Sequence, residues 1–251
     1  MRPRALAVLI PAHDEEELLP AALASVRAAA RHPAVRETRV VTVVAADACA
    51  DATVQAALRA GAEVVGLDAR NAGRARAAAA RRALEILGPA EQVWLASTDA
   101  DTTVPADWLA FARARAAEGW DAVVGTVAVA HGTAGSAGAL RLHELGYTAS
   151  RPTRGPWHHP HVHGANLAVS ARAYLAAGGF PPVRLGEDHG LVRALALRGH
   201  RVLRTADCPV LTSGRLRARA RGGFGDHLAA LAARGSDGNP HIICNIATGM
   251  K

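Results

Sequence analysis

Asp99 and Asp101 end an apolar, strand-like run, VWLASTDAD, that begins at Val93. In an extended segment, residues i and i+2 point the same way, so the pattern predicts that both carboxylates face one spot. Like charges held together are costly unless a cation lies between them. A divalent metal would explain the pair, and a solvated turn would explain it without any function.

Two further acidic clusters follow predicted strands, and an acidic pair occurs later. PAHDE begins at Pro11, directly after the apolar run 5–10, and DACAD begins at Asp47, after the β-branched run 39–45. Because functional loops gather at the carboxyl ends of parallel strands, we expect these clusters to meet the DAD segment at one edge. The pair Glu187–Asp188 in GEDHG opens a helical segment, where complementing the helix dipole is an alternative role for one of the two acids.

Four histidines lie within six residues of the segment WHHPHVHGAN, namely His158, His159, His161 and His163. If that segment is a strand, His161 and His163 share one face, and paired imidazoles suit zinc. No cysteine lies nearby. Metal ligation, an inert loop and ligand binding are all compatible with the pattern.

Strands alternate with helices through the first half of the chain. Predicted strands lie at 5–10, 39–45, 63–67, 92–97 and 121–129, and predicted helices begin near Asp14, Asp51, Asn71 and Pro105. This order implies βαβ units and a mainly parallel, Rossmann-like central sheet flanked by helices in an α/β fold. From about residue 131 the alternation weakens. We interpret 131–235 as the second half of the same domain and 236–251 as an atypical tail.

The composition is that of a globular protein and excludes several classes of function. Of the 251 residues, 50% are hydrophobic and 4% aromatic; the net charge of +7 is scattered, so we expect no nucleic-acid binding. Cys49, Cys208 and Cys244 are too far apart for a CxxC site, and their number is odd. No apolar run is long enough for a signal peptide or a transmembrane span, so we expect a cytoplasmic protein.

Six segments, in order over roughly residues 5–205, resemble family 2 glycosyltransferases of the GT-A fold. They are VLIPAHDEEELLPAALASV, VVTVVAADACADAT, NAGRARAAAARRAL, VWLASTDADTTVPADWL, GANLAVSARAYLAAGGF and GEDHGLVRALALRGHRV. The resemblance implies a UDP-sugar or GDP-sugar donor, Mn²⁺ or Mg²⁺, and inverting transfer to a hydroxyl of a small-molecule or lipid-linked acceptor. It also implies that residues 1–130 bind the donor and 131–235 the acceptor.

The resemblance assigns the metal to Asp101, and places Asp99 near the ribose or as a second ligand. Oxygen ligands suit Mn²⁺ and Mg²⁺, and such a cation stabilises the charge that develops on a leaving diphosphate. The other expected donor contacts are Pro11, Ala12, His13, Glu15, Asp47, Arg74 and Ala100. Asp47 is expected to accept a hydrogen bond from the base.

The chain departs from the family pattern at two positions, and some residues near the expected donor site have alternative roles. Ala46 stands where the family more often has Asp, and Asp14 where it commonly has Asn. Arg74 and Arg76 lie in the first turn of a helix, where an arginine binds a diphosphate or is merely solvated. Asp51 is expected to cap the following helix.

On the acceptor side, the resemblance implies that Asp188 is the general base, with Glu187 as its substitute. The expected acceptor contacts are Trp157, His161, His163 and Asn166. Four arginines at alternate positions from 215 to 221 would flank an anionic acceptor, close over the diphosphate, or be solvated. The QxxRW signature is absent, which argues against polymer synthesis and extrusion.

Two other functions fit the sequence less well. A nucleotidyltransferase needs a basic, glycine-rich loop after the first strand, and PAHDEEE is acidic there. A catalytically silent nucleotide-sugar-binding protein is expected to lack the DxD or the ED pair, and both are present.

Overall fold

Eight strands form one sheet in the part of the chain that the computed structural model describes, which is residues 3–130, 137–215 and 224–236. They are β1 (Ala5–Ala12), β2 (Arg39–Asp47), β3 (Glu63–Leu67), β4 (Val93–Ser97), β5 (Thr102–Thr103), β6 (Ala122–Val129), β7 (Leu167–Ser170) and β8 (Val202–Thr212). The spatial order is β3-β2-β1-β4-β7-β6-β8-β5. Strands β3, β2, β1 and β4 are parallel, as predicted, whereas β7 is antiparallel to both β4 and β6, and β5 is antiparallel to β8.

The helices follow the strands in the predicted alternation. They are α1 (Leu19–Ala30), α2 (Thr53–Arg59), α3 (Ala72–Leu87), α4 (Trp108–Ala117), α5 (Ala137–Thr148), α6 (Ala171–Ala176), α7 (Glu187–Leu197) and α8 (Phe224–Ser236). Two begin later than predicted. The helix expected from Asp14 begins at Leu19, because residues 14–16 bond to a neighbouring loop. The helix expected from Pro105 begins at Trp108, after a turn closed by the Trp108 N–H and the Pro105 carbonyl at 3.0 Å.

Strand β1 lies inside the sheet and buries both of its faces. Leu6, Val8 and Ile10 belong to a core with α1 and α4, and Ala7 and Leu9 to a core with α3, α6 and α7. Successive side chains point to opposite faces, so an unbroken apolar run is needed where helices cover both. Burying a Leu or Ile side chain contributes about 2 kcal/mol. The residues that follow the central strands therefore start from strands that are fixed by packing on both faces.

The chain divides into two compact units, Met1–Ala128 with Pro156–Thr212, and Val129–Gly155 with Ser213–Lys251. The first unit contains the sheet except Val129 at the end of β6, and every residue assigned above to the donor, metal, base or acceptor. In the second, α5 packs against α8, and the His143 ring lies 4.9 Å from that of Phe224. Most of the predicted tail, residues 237–251, lies outside the described residues. The predicted functional halves, divided at residue 130, remain a prediction.

Candidate functional site

The loops that follow β1 and β2 hold each other through reciprocal hydrogen bonds. Asp14 accepts from the Ala50 N–H at 2.7 Å, and Glu16 accepts from the Ala52 N–H at 2.8 Å. In the other direction, Asp51 accepts from the Glu16 N–H at 3.0 Å. The first two acidic clusters therefore meet at the carboxyl edge of the sheet, as predicted. These carboxylates fix the loops that surround the site.

Thr53, the first residue of α2, joins the two loops at their buried side. Its hydroxyl accepts from the backbone N–H of buried Glu15 at 2.7 Å, and its own N–H donates to Asp51 at 2.9 Å. Burial would raise the pKa of Asp51, but hydrogen bonds from Thr53 and from Glu16 outweigh it and lower that pKa. Asp51 thus accepts from a free N–H at the start of α2, but the N-cap position itself is Ala52, so Asp51 stabilises the helix start from the preceding residue rather than as its N-cap.

Asp47, at the end of β2, holds the loop that leads into α3. Its carboxylate accepts from the backbone N–H groups of Ala69 (2.7 Å), Arg70 (2.8 Å) and Asn71 (2.7 Å), and the residue is 4% exposed. Its carbonyl accepts from His13 Nδ1 at 2.7 Å. Because a carboxylate has about four lone-pair sites, most of the acceptor capacity of Asp47 is used within the protein. Little acceptor capacity therefore remains for the hydrogen bond expected from the nucleotide base to Asp47.

Among the described residues, one group of three potential metal ligands lies close together, formed by Asp14, Cys49 and Asp51. Both carboxylates already accept backbone N–H bonds. Burial raises the pKa of the Cys49 thiol, so it is protonated at neutral pH, and it donates to the Ala12 carbonyl at 3.4 Å. We interpret this group as part of the loop contact rather than as a metal centre. The four histidines form no comparable group within the described ranges.

The DAD segment forms a turn, which corrects the extended geometry expected for it. Strand β4 ends at Ser97, and the Thr102 N–H donates to the Asp99 carbonyl at 3.2 Å. The Asp101 carboxylate accepts from the hydroxyls of Thr212 (3.3 Å) and Thr102 (3.4 Å), whereas Asp99 contacts a different partner, Arg76. The two carboxylates therefore have different hydrogen-bond partners. Side chains i and i+2 point the same way only where the backbone is extended, and here it turns.

Arg76 lies on the buried face of α3 and contacts three side chains. Its guanidinium contacts the carboxylates of Asp99 and Glu187, and its Nε donates to Ser97 Oγ at 3.1 Å. Arg76 is 4% exposed, whereas Arg74, the arginine favoured for the diphosphate, is exposed. Burial raises the pKa of Glu187, and the adjacent Arg76 cation opposes that shift. Glu187 is therefore engaged in a buried ion pair.

Asp188 differs from Glu187 in its surroundings. One oxygen accepts from the Gly164 N–H at 2.7 Å and the other from the His189 N–H at 2.7 Å. The residue is partly exposed, whereas Glu187 is buried. The two acids of the ED pair thus separate into a paired, buried carboxylate and a partly exposed one held by backbone donors.

The histidine segment forms a ladder of stacked rings. The His159 and His161 rings lie 5.9 Å apart and those of His161 and His163 lie 6.1 Å apart, with Trp157 edge-on to the first two. His159 is fully buried among the backbone carbonyls of neighbouring segments. Burial lowers the pKa of His163 to about 4, although nearby Asp188 opposes the shift. His163 is therefore neutral at physiological pH.

Asn166, one of the expected acceptor contacts, is a buried residue of the core. Its Oδ1 accepts from Trp108 Nε1, and its Nδ2 donates to the carbonyls of Thr126 and Cys208, all at 2.9 Å. A Cβ atom at Gly125 would lie 2.2 Å from Asn166 Nδ2, so the neighbouring strand must have glycine there. The amide of Asn166 thus links α4, β6 and β8 through hydrogen bonds inside the core.

The remaining expected residues are placed as follows. Pro11 and Ala12 form the last residues of β1, paired with Ala45 and Ala46 of β2, and Ala100 is buried in the core with 3% exposure. Trp157 is buried at 8% exposure against the histidine ladder. Arg217, Arg219 and Arg221 lie outside the described residues. None of the helices within the described ranges is long and apolar enough to cross a membrane.

Two site residues carried weaker signals in the sequence. In the sequence, Arg76 looks like Arg74, its neighbour in the first turn of the helix. Its spacing, however, places it on one helix face with Gly73, Ala80 and Ala83. All four residues are buried. Alanine on every face of α3 hides that pattern. Thr212, which contacts Asp101 from β8, carried no local signal, because it lies 111 residues away in the chain.

The chain resembles known proteins both in sequence and in fold. The sequence profile described as Glycosyl transferase family 2 matches residues 7–175. No curated protein matches the chain in sequence. The mannosyltransferase from Pyrobaculum calidifontis, solved with GDP-Man and Mn²⁺, has a TM-score of 0.62 and 21% identity over 95% of this chain and 66% of its own.

Two further solved structures show the same likeness. Residues 1–349 of S. aureus TarS, in complex with UDP, have a TM-score of 0.61 and 15% identity over 92% of this chain and 65% of theirs. Glucosyl-3-phosphoglycerate synthase from Mycobacterium tuberculosis, with Mn²⁺, UDP and phosphoglyceric acid, has a TM-score of 0.58 and 19% identity, covering 92% of this chain and 78% of that one. The chain thus spans about two thirds of the first two. At these identities the likeness shows the fold, which is the α/β fold that the resemblance implied.

Proposed function

Because the chain belongs to glycosyl transferase family 2, we propose that it transfers a sugar from a nucleoside diphosphate sugar to an acceptor hydroxyl with inversion. The observation that carries this proposal is that the acidic residues of the site have different surroundings. Asp101 lies on a turn after β4, Glu187 is paired with Arg76, and Asp188 is left partly exposed. Such a site offers one carboxylate, Asp101, to bind a metal and another, Asp188, to accept a proton from the acceptor hydroxyl.

The donor set around the DAD turn fits Mn²⁺ or Mg²⁺. Asp101 offers carboxylate oxygens beside the hydroxyls of Thr102 and Thr212, and hard divalent cations prefer oxygen ligands and need only one or two carboxylates. We assign Asp101 as the protein ligand, with Asp99 turned toward Arg76 and able to reach the metal only through its second oxygen. A bound cation would supply positive charge for the departing diphosphate.

Asp188 is the group we assign to deprotonate the acceptor hydroxyl. Glu187 is buried and ion-paired with Arg76, so its carboxylate is not open to a substrate hydroxyl. Asp188 is fixed from both sides by N–H donors, so its position is defined before an acceptor binds. Attack aided by a fixed base on the face opposite the diphosphate inverts the anomeric configuration.

The donor's nucleoside is proposed to lie over the ends of β1 and β2. We assign His13 and Glu15 on the first loop and Asp47 on β2 to this position, because hydrogen bonds join the loop to β2 and α2. We assign exposed Arg74 on α3 to the diphosphate. The complexes of similar structures with UDP and with GDP-Man and Mn²⁺ support a UDP-sugar or GDP-sugar. Within the site, Asp47 acts mainly by holding the loop that carries Asn71.

The acceptor is proposed to bind beside the histidine ladder. His163 is close enough to Asp188 for that charge to affect its pKa, and His161 stacks on His163. Trp157 supports the ladder from a buried position. A neutral imidazole can donate and accept hydrogen bonds, which suits a hydroxyl-bearing small molecule or a lipid-linked sugar.

A thermal-shift screen tests the proposed function. The chain is heated with UDP, GDP and their sugar conjugates, each with Mn²⁺ or with EDTA, because a ligand of the native state raises the apparent stability. We expect one nucleotide class to raise the unfolding temperature with Mn²⁺ and much less with EDTA. The best nucleotide sugar is then incubated with the protein, and free nucleoside diphosphate is measured. Stabilisation by nucleoside triphosphates with pyrophosphate release would identify a nucleotidyltransferase instead.

A further inference from the structure

We propose that Arg76 is a positioning residue that fixes the distance between the DAD turn and the Glu187–Asp188 pair. Arg76 would thereby make the donor side and the acceptor side of the site one rigid unit. This inference rests on the proposed function and deepens it, because it gives a role to a buried cation that touches neither substrate.

The guanidinium contacts three side chains from two other chain segments, residues 97–99 at the end of β4 and just after it, and the start of α7. Its Nη2 contacts Asp99 in the DAD turn, its Nη1 contacts Glu187 at the start of α7, and its Nε donates to Ser97 Oγ at 3.1 Å at the end of β4. Each nitrogen has its own partner in a planar fork of fixed geometry. A lysine has one nitrogen on a flexible stem and cannot keep the same three spacings.

Close packing around Arg76 leaves these segments little freedom. A Cβ atom at Gly164 would lie 2.5 Å from Arg76 Nη2, so the backbone before β7 lies directly against the guanidinium. At the start of the same helix, a Cβ atom at Gly73 would lie 2.2 Å from the Pro181 carbonyl oxygen. Asn71 Nδ2 also donates to the Pro182 carbonyl at 3.3 Å. Helix α3 is thus pressed against the segment that leads into α7.

The contacts continue from Arg76 to Asp188 by two routes. Glu187 is the chain neighbour of Asp188, and Gly164, which packs on the guanidinium, donates its N–H to Asp188 at 2.7 Å. A shift of the guanidinium would therefore move the proposed base as well as Asp99. Misplacement by about 1 Å can lower a rate by about a hundredfold, so such coupling would matter for transfer.

A simpler role for Arg76 is to neutralise buried Glu187. Burial disfavours the ionised form of Glu187, which raises its pKa, and an ionised carboxylate in this position is costly without a cation beside it. Neutralisation alone, however, does not require the contacts to Asp99 and Ser97. The two roles can be separated by removing the charge of Glu187 together with that of Arg76.

The first test compares Arg76→Lys with Arg82→Lys, a matched control on the same helix. Arg82 forms an exposed ion pair with Glu63 at 3.1 Å, outside the site. With the nucleotide sugar found by the screen, we expect Arg76→Lys to lower kcat about a hundredfold. The donor KM should change much less, because alignment matters most in the transition state. The control should keep both constants.

The second test uses the double variant Arg76→Met/Glu187→Gln, which removes the buried pair of Arg76 with Glu187 and remains informative where Arg76→Lys folds poorly. Asp99 also loses its cation, but its side chain is 35% exposed and can be solvated instead. Positioning predicts that this variant binds UDP or GDP with Mn²⁺ but stays about a hundredfold slow, because Asp99 and Asp188 are no longer held together. Recovery of wild-type kcat would reduce Arg76 to a counter-charge and overturn the inference.

The outcomes for wild type separate this inference from the proposed function. Wild-type turnover that Arg76→Lys retains within about threefold would overturn the positioning role and leave the proposed function intact, because misalignment should cost far more. A wild-type protein that neither binds nor turns over any nucleotide sugar would overturn both. Turnover lost in Arg76→Lys and in the double variant, but kept in Arg82→Lys, supports both.

Discussion

The Gly164 N–H donates to the Asp188 carboxylate at 2.7 Å, across 24 residues of sequence. This bond joins the turn before β7 to the first residues of α7, and the other oxygen of Asp188 accepts from the His189 N–H. The side chain is therefore oriented before any substrate arrives. A base held in this way is prepared for one acceptor position, and this gives the first prediction.

We expect Asp188→Asn to lose nearly all transfer while it binds donor and metal almost normally. Loss of a general base lowers a rate by about a hundredfold to ten-thousandfold, and the amide oxygen of Asn can still accept from the Gly164 N–H. Turnover and calorimetry on the same preparation check this result. Asp207→Asn, on the exposed side of β8, is the matched control. Near-normal turnover of Asp188→Asn would remove the base assignment.

Asp101→Asn and Asp99→Asn should have different effects on metal binding. Asp101 is the assigned ligand, so its variant should weaken binding of UDP or GDP with Mn²⁺ by at least about tenfold, as expected when a ligand charge is lost. Asp99 contacts Arg76 instead, and its variant should lower turnover more than Mn²⁺ affinity. Calorimetric titration with and without Mn²⁺ measures both. Equal affinities of wild type and Asp101→Asn would exclude Asp101 as a ligand.

Asp47→Ala should destabilise the fold even without ligand. It removes the acceptor for three backbone N–H groups in the loop before α3, and hydrogen bonds to a charged acceptor contribute about 1.5–3 kcal/mol each. We expect the free energy of unfolding in urea to fall by at least about 2 kcal/mol. Asp68→Ala, at an exposed neighbouring position, should change it little. Unchanged stability of Asp47→Ala would leave ligand binding as the main role of Asp47.

His163 should make the protein less stable in acid. Its folded pKa is about 4, below the ordinary value of about 6.5, so the folded state binds fewer protons than the unfolded state. The stability that neutral His163 supplies is present above about pH 6.5 and is lost as pH falls toward about 4. Relative to His163→Gln, wild type should lose on the order of 3 kcal/mol across that range.

Urea unfolding at several pH values measures this difference. Exposed His158→Gln is the control, and its curve should stay parallel to that of wild type. A His163→Gln curve that is also parallel to wild type would show that His163 has no lowered pKa in the folded state.

The central strands could be predicted because their sequences carry their own signal. Both faces of β1 are covered by helices, so its apolar run is continuous and ends at Pro11 where the loop begins. The order of strands past β4 could not be predicted in the same way. Strand β7 pairs antiparallel with β4, although residues 167–170 are a short segment with no length or turn signal to indicate it.

The meeting of the acidic loops could be predicted from the sequence, whereas contacts between residues far apart in the chain could not. The acidic loops after β1 and β2 meet as expected, because parallel strands end at one edge. Asn166 looks like a binding residue in sequence, yet its amide bonds to Trp108 and to two strands of the core. The split between Glu187 and Asp188 depends on Arg76, 111 residues from Glu187, and no local pattern could reveal it.

Turnover of a nucleotide sugar, followed by NMR in the presence of Mn²⁺, tests the central claim most directly. The account predicts release of free nucleoside diphosphate and a product whose anomeric configuration is opposite to that of the donor, both lost in Asp188→Asn. A product that retains the donor configuration would contradict the inverting mechanism. Tight binding of the nucleotide sugar without any release of nucleoside diphosphate, with and without acceptors, would contradict transfer itself.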